Sequence, residues 1–189
     1  RKGAWTGNSY DRAGRVVEYG FESGVCQGLI GAYLISGQSW SQFSSYISSE
    51  RGKTLVRGIM NFQEHLSASG NMKEMKNVFH GILKPHSVNF IREEIRLTEN
   101  TPIKMSQAIL NNVRQGNGYH ISIKKSSGGH SLGIRAEANQ IKFFDPNYGE
   151  TVFPYNKGVN DEMERFLTHV FSQYYSQYFM LTVEHYAVP

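Results

Sequence analysis

The sequence predicts an α+β fold in which a mostly helical N-terminal half packs on a C-terminal antiparallel sheet. In the first half, apolar residues recur at steps of three and four, which is the spacing of one helix face. The clearest run comprises Leu55, Ile59, Phe62 and Leu66. In the second half, short segments such as residues 119–124 alternate apolar and polar side chains and are separated by turn residues. Helices followed by strands are typical of the α+β class.

Most of the predicted helices show an apolar period, and several also have a stop or start signal. The first begins near Gly24, carries Leu29, Ile30 and Tyr33 on one face, and stops at Ser36-Gly37. Helices are predicted over residues 24–36, 39–48, 55–69, 75–82, 102–115 and 163–174. Residues 1–23 show no clear period, and we expect them to form an irregular or partly extended lead-in.

The predicted strands are short and lie at hairpin spacing. They cover residues 119–124, 131–136, 140–145 and 151–155, with a last strand over 178–185 and a further extended piece over 87–97. Because connections between the four central strands are short, neighbouring strands must run antiparallel.

Length and composition predict one domain spanning residues 1–189. Aromatic residues make up 13% of the chain and charged residues 19%, which is typical of a folded globule. The chain begins at Arg1 without an initiator Met, and we interpret it as a piece of a longer protein. No apolar stretch reaches the roughly 18 residues of a membrane span. The single cysteine excludes an internal disulfide and a cysteine-pair metal site, and no cofactor is predicted.

The net charge of +4 is modest, and the basic residues are spread along the sequence with a few small pairs. These pairs are Arg12/Arg15, Lys73/Lys76 and Lys124/Lys125. No basic run is interleaved with aromatic residues, so nucleic-acid binding is not predicted. We expect at most a weak attraction to anionic membrane surfaces or acidic partners, and the sequence predicts no oligomeric state.

Three segments carry the candidate chemistry. Cys26 lies between Gly24 and Gly28 in the first turn of a predicted helix, where the helix dipole and free N–H groups favour a thiolate. His130 follows two glycines at the start of a strand, and Asp145 ends the next strand. Antiparallel neighbours bring these strand ends together, so His130 can take the proton of Cys26 while Asp145 orients the imidazole.

Each of these residues also has a structural interpretation. A lone cysteine is commonly buried in a core, a histidine can simply end a strand, and Asp-Pro is a common turn. The combination of all three, in the order Cys, His and Asp, is much rarer than any one of them. The coincidence therefore favours a catalytic triad of Cys26, His130 and Asp145.

The chain resembles the YopT-type cysteine peptidases, papain-like enzymes that bacteria deliver into host cells. The resemblance rests on three segments: Gly24-Val25-Cys26-Gln27-Gly28-Leu29, Gly129-His130-Ser131-Leu132-Gly133-Ile134 and Phe143-Phe144-Asp145-Pro146-Asn147-Tyr148-Gly149-Glu150. It implies a papain-like fold and a secreted or translocated virulence effector that acts in the host cytosol or at its membrane. It also implies cleavage of a host protein, with prenylated Rho-family GTPases as the best-known substrates.

The same resemblance assigns Cys26 as nucleophile, His130 as general base and later acid, and Asp145 as the orienting group. Papain-like enzymes usually place an amide side chain shortly before the cysteine to complete the oxyanion hole, and none lies between Tyr19 and Val25. We expect the backbone N–H of Cys26 to supply one donor and Ser23, or the more distant Asn8, to supply another.

Two alternatives remain open from the residues. The same triad can serve acyl transfer, deamidation or self-processing of a parent toxin, since an acyl-enzyme reacts with water or with an amine. Alternatively, the domain only binds a host protein or a membrane, and Cys26 is a packed thiol.

Two further groups are interpreted as structural. The first is a set of histidines whose spacing fits no metal site and which we expect on helix surfaces: His65, His80 and His86. The second is an aromatic stripe that we assign to core and sheet edge in preference to a groove for a lipid tail: Tyr174, Tyr175, Tyr178 and Phe179.

Overall fold

The computed structural model describes residues 25–97 and 101–189. Its helices are α1 (Val25–Ser36), α2 (Trp40–Ser48), α3 (Glu50–Ser69), α4 (Met72–Leu83), α5 (Pro102–Asn112) and α6 (Val159–Gln173), with a short 3₁₀ turn over Lys84–His86. Its strands are β1 (Asn89–Leu97), β2 (Asn117–Lys125), β3 (Gly128–Ala136), β4 (Gln140–Asp145), β5 (Gly149–Pro154) and β6 (Met180–Ala187). The predicted helices and strands are confirmed in type and order. The lead-in predicted over residues 1–23 lies outside the described residues.

The six strands form one antiparallel sheet in the order β1-β6-β2-β3-β4-β5. The last strand of the chain is therefore not an edge strand, because β6 inserts between β1 and β2. The extended piece predicted over residues 87–97 becomes the edge strand β1, where Asn89 pairs with Ala187.

The two faces of the sheet bury two separate cores. On one face, apolar side chains of β2 such as Tyr119, Ile121 and Ile123 pack with residues of α5 and α6. On the other face, Phe144 and Tyr186 join the apolar residues of α1 to α4. Helices thus cover both faces of the sheet, and α1 packs on the face that carries Phe144 and Tyr186.

Helix α1 is packed tightly on two sides. A Cβ atom at Gly28 would lie 2.9 Å from the Cγ1 atom and 3.0 Å from the carbonyl oxygen of Val56 in α3. On the sheet side, a Cβ atom at Gly133 of β3 would lie 3.2 Å from the Cδ1 atom of Ile30. The two glycines therefore let α1 approach both neighbours closely, and Leu29 and Ile30 are completely buried as a result.

Two buried cations from the sheet hold the C-terminal end of α1. The Nη1 group of Arg135 donates to the carbonyl oxygen of Leu34 at 2.6 Å. The Nζ group of Lys142 donates to the carbonyl oxygen of Gln38 at 3.0 Å and lies 3.1 Å from the Oε1 atom of Glu137. The last carbonyl groups of a helix lack partners within the helix and carry partial negative charge, so these cations stabilise that end.

Among the described residues, none of the helices combines the length and apolar character needed to cross a membrane.

We expect Gly28→Ala to lower the free energy of unfolding by about 1–3 kcal/mol, because the new methyl group meets the α3 backbone and forces α1 to shift. Urea denaturation followed by tryptophan fluorescence measures this difference.

The matched control is Gly81→Ala on the exposed side of α4, where a Cβ atom meets nothing within 4 Å. There we expect a stabilisation of roughly 0.5–1 kcal/mol from the higher helix propensity of alanine. Equal effects of the two substitutions would contradict the close approach of α1 and α3.

Candidate active site

Cys26 is the second residue of α1 and is partly exposed. The first N–H groups of a helix have no partners within the helix, and the helix dipole places its positive end there. Backbone N–H groups of Gln27 and Ser131 help to lower the pKa of the Cys26 thiol. The thiol therefore lies where backbone dipoles favour its ionised form.

His130 and Asp145 come from neighbouring antiparallel strands. His130 lies near the start of β3 and Asp145 at the end of β4, and both side chains are buried. The pairing of Gly133 with Phe144 sets the register that brings these two strand ends together. The Nε2 atom of His130 lies 2.9 Å from the Oδ1 atom of Asp145. A carboxylate can only accept, so Nε2 carries the proton and the second ring nitrogen remains for Cys26.

Cys26 and His130 interact electrostatically, and each shifts the pKa of the other. Burial raises the pKa of Cys26, but the hydrogen bond with His130, the charge of that ring and the two backbone donors outweigh burial and lower it. Burial lowers the pKa of His130, whereas hydrogen bonds with Asp145 and Cys26 and their negative charges raise it to about 10. Both shifts favour a thiolate and imidazolium pair at neutral pH.

Asp145 receives two further hydrogen bonds. The backbone N–H of Asn147 donates to its Oδ1 atom at 2.9 Å, and the hydroxyl of Tyr175 donates to its Oδ2 atom at 2.5 Å. Burial and the charge of Asp145 raise the pKa of Tyr175 well above its ordinary value, so this hydroxyl stays a donor. The Tyr175 ring also stacks on His130, with centroids 5.1 Å apart and planes 25° apart. Tyr175 therefore supports both the carboxylate and the imidazole.

The structure brings the three predicted residues together, since His130 pairs with Asp145 and lines the same cleft as Cys26. Their catalytic roles stay a prediction. Ser23 and Asn8, the candidates for a second oxyanion donor, lie outside the described residues. From the sequence, Tyr175 is assigned to core and sheet edge. It is buried, but its hydroxyl also donates to the carboxylate of Asp145. No local pattern marks this role, because Tyr175 and Asp145 are 30 positions apart.

A second buried network lies beside the first. The Nε2 atom of His80 and the Nδ1 atom of His120 each lie 3.0 Å from a different carboxylate oxygen of Glu184. On its other side, the Nε2 atom of His120 lies 2.9 Å from the Oγ atom of Ser131. The expectation that His80 is simply a helix-surface residue is wrong, because its side chain is only 17% exposed and pairs with Glu184. Ser131 links this network to the active site, since it follows His130 in β3 and lines the same cleft as Cys26.

The profile of one peptidase family, described as Yersinia/Haemophilus virulence surface antigen, matches residues 16–188. The chain belongs to this family. It is a cysteine peptidase, and Cys26 is its only cysteine. The resemblance stated from the sequence motifs is thereby confirmed. A search of curated protein sequences finds no match.

The fold of this peptidase is similar to that of the crystal structure of the Pseudomonas avirulence protein AvrPphB. The two share 16% sequence identity with a TM-score of 0.68, over 87% of this chain and 92% of that one. At this identity the likeness concerns the fold alone, and it confirms the predicted papain-like α+β architecture. Within the described residues of the peptidase, no cluster of three or more His, Cys, Asp or Glu side chains has an arrangement that could hold a metal ion.

We expect Tyr175→Phe to lower the free energy of unfolding by about 1.5–3 kcal/mol, because it removes a hydrogen bond to a buried charged group. Urea denaturation of the purified peptidase measures this change. The matched control is Tyr155→Phe, whose exposed hydroxyl should contribute less than about 0.5 kcal/mol. Similar losses in both variants would show that the hydroxyl of Tyr175 does not stabilise the Asp145 carboxylate.

Proposed function

We propose that this peptidase hydrolyses a peptide bond in a host protein, with Cys26 as nucleophile, His130 as general base and acid, and Asp145 as the group that orients His130. The observation that carries this proposal is the chain of hydrogen bonds from Tyr175 through Asp145 to His130, together with the opposite pKa shifts of His130 and Cys26. Membership of a family of virulence peptidases supports a host protein as substrate.

In the proposed reaction the Cys26 thiolate attacks the carbonyl carbon of the scissile bond, and a carbon–sulfur bond forms. The backbone N–H of Cys26 stabilises the oxyanion, with a second donor that we assign to Ser23 or Asn8. The His130 imidazolium then gives its proton to the leaving amine as the carbon–nitrogen bond breaks. Water attacks the thioester, His130 takes a proton from that water, and the acid product leaves as the thiolate re-forms.

The positions of the charged groups support this sequence of steps. Asp145 accepts three hydrogen bonds, which hold its carboxylate beside the ring it orients. The thiolate lies at the positive end of α1, and nearby backbone N–H groups lower the pKa of Cys26 further. Because the pKa of His130 is raised to about 10 while that of Cys26 is lowered, the ion pair exists over a pH range that ends near the pKa of His130.

The first test is the alkylation rate of Cys26 with iodoacetamide at about pH 6, where an ordinary thiol is almost fully protonated. We expect His130→Ala to slow this rate by about tenfold for each unit by which the pKa of Cys26 rises. Asp145→Ala should slow it less, since the imidazole remains. Unchanged rates in both variants would contradict the triad and favour a packed, non-catalytic thiol.

The second test identifies the substrate. The peptidase and its Cys26→Ala variant are incubated with host-cell lysate and membranes, and new protein termini are mapped by mass spectrometry. We expect termini that appear only with intact Cys26. The finer proposal of a prenylated Rho-family GTPase, cleaved at the host membrane, requires that such a terminus lie in that protein. Termini confined to the added chain would favour self-processing instead.

A further inference from the structure

Two lysine pairs that are far apart in the sequence line one cleft beside Cys26. The cleft has a volume of about 630 Å³, and both Cys26 and His130 contribute to its wall. Lys73 and Lys76 reach it from α4, whereas Lys124 and Lys125 reach it from the end of β2. From the sequence, these two pairs are expected to be separate and not to form one positive surface. The fold brings them together in the lining of the cleft that contains the nucleophile.

Glu184 is the one acidic side chain among the described residues that line this cleft. Its carboxylate is already engaged, because His80 and His120 each lie 3.0 Å from one of its oxygens. Despite burial, these hydrogen bonds hold the pKa of Glu184 well below its ordinary value, so its charge is paired with the two imidazoles. Among the described residues that line the cleft, four lysines therefore accompany one carboxylate, which is already engaged by two histidines.

The surroundings of two of the lysines leave their ammonium groups able to meet a ligand. Lys76 lies 2.7 Å from Glu93, but both side chains are about 30% exposed, and an exposed pair of this kind exchanges readily with other partners. The Nζ atom of Lys125 lies 5.2 Å from the centre of the Tyr178 ring. A cation over an aromatic face keeps its full charge and its remaining donors.

We infer that this cleft binds acidic side chains of the substrate protein next to the scissile bond, and thereby selects acidic sequences. This inference rests on the proposed function, since it names the substrate class of that same site. A peptide whose carbonyl carbon reaches Cys26 must continue along the walls of the cleft. The polar floor, which includes Ser122 and Thr182, suits an extended polar chain, and the surrounding lysines complement carboxylates.

Direct binding tests the inference without any need for catalysis. The probes are fluorescein-labelled peptides of glycine, alanine and serine that differ only in carrying several Glu, Gln or Lys residues. Their affinities for the Cys26→Ala protein are measured by fluorescence anisotropy at low ionic strength. We expect the Glu peptide to bind roughly three- to tenfold more tightly than the Gln peptide, and the Lys peptide to bind most weakly.

Charge variants locate the binding site. In the Cys26→Ala background, Lys73→Gln with Lys124→Gln should remove most of the preference, and Lys73→Glu with Lys124→Glu should favour the Lys peptide. The matched control is Lys104→Gln with Lys157→Gln, which removes the same charge from exposed positions outside the cleft. Thermal denaturation establishes that each variant is folded.

Equal affinities for the Glu and Gln peptides, or a preference that survives in the cleft variants but not in the control, would overturn the inference. Vesicles of phosphatidylcholine with phosphatidylserine test the other anionic ligand. Vesicle binding that depends on Lys73 and Lys124, without any discrimination among the peptides, would assign the cleft to lipid and would also overturn it.

The same peptides separate this inference from the proposed function. Selective binding by the Cys26→Ala protein, with no cleavage of bound peptides or host proteins by the intact protein, supports the acidic cleft and contradicts the peptidase reaction. Cleavage of host proteins without enrichment of Asp or Glu around the new termini supports the reaction and contradicts the acidic cleft.

Discussion

The docking of α1 between the sheet and α3 is the constraint on which the active site depends. A helix is stiff, so holding its C-terminal end and its two sides determines where its first turn lies. Arg135 and Lys142 hold the C-terminal end, while Gly28 and Gly133 permit the close approach on either side. Cys26 is thereby carried to the start of β3, where His130 emerges. The packing of α1 in the core therefore also sets the position of Cys26 relative to His130.

Buried charge is stabilised throughout by several partners at once. Asp145 accepts hydrogen bonds from His130, Asn147 and Tyr175, and Glu184 pairs with two histidines. A buried carboxylate without such partners would be protonated or would destabilise the fold. The partners also orient the ionised groups, so the interactions that make burial tolerable are those that position the imidazole beside the thiol. Ser131 joins the two networks, because its hydroxyl contacts His120 and the residue directly follows His130 in β3.

Reaction class and specificity have different origins in this peptidase. Family membership and the fold shared with the Pseudomonas avirulence protein establish the reaction class and the scaffold. The proposed preference for acidic substrates depends instead on lysines that reach the cleft from α4 and β2. The net charge of +4 does not indicate this feature, because substrate attraction depends on how charge is distributed around the nucleophile and not on its sum.

Features that depend on neighbouring residues along the chain could be predicted from the sequence. Apolar period and stop signals placed the helices and most strands, and glycine-flanked motifs identified Cys26, His130 and Asp145 as candidates. It did not reveal the insertion of β6 between β1 and β2, the support of Asp145 by Tyr175, the burial of His80 against Glu184, or the meeting of the two lysine pairs. Those contacts were decided by the tertiary structure, because they join segments from 30 to more than 100 positions apart, and no local periodicity specifies which distant surfaces come together.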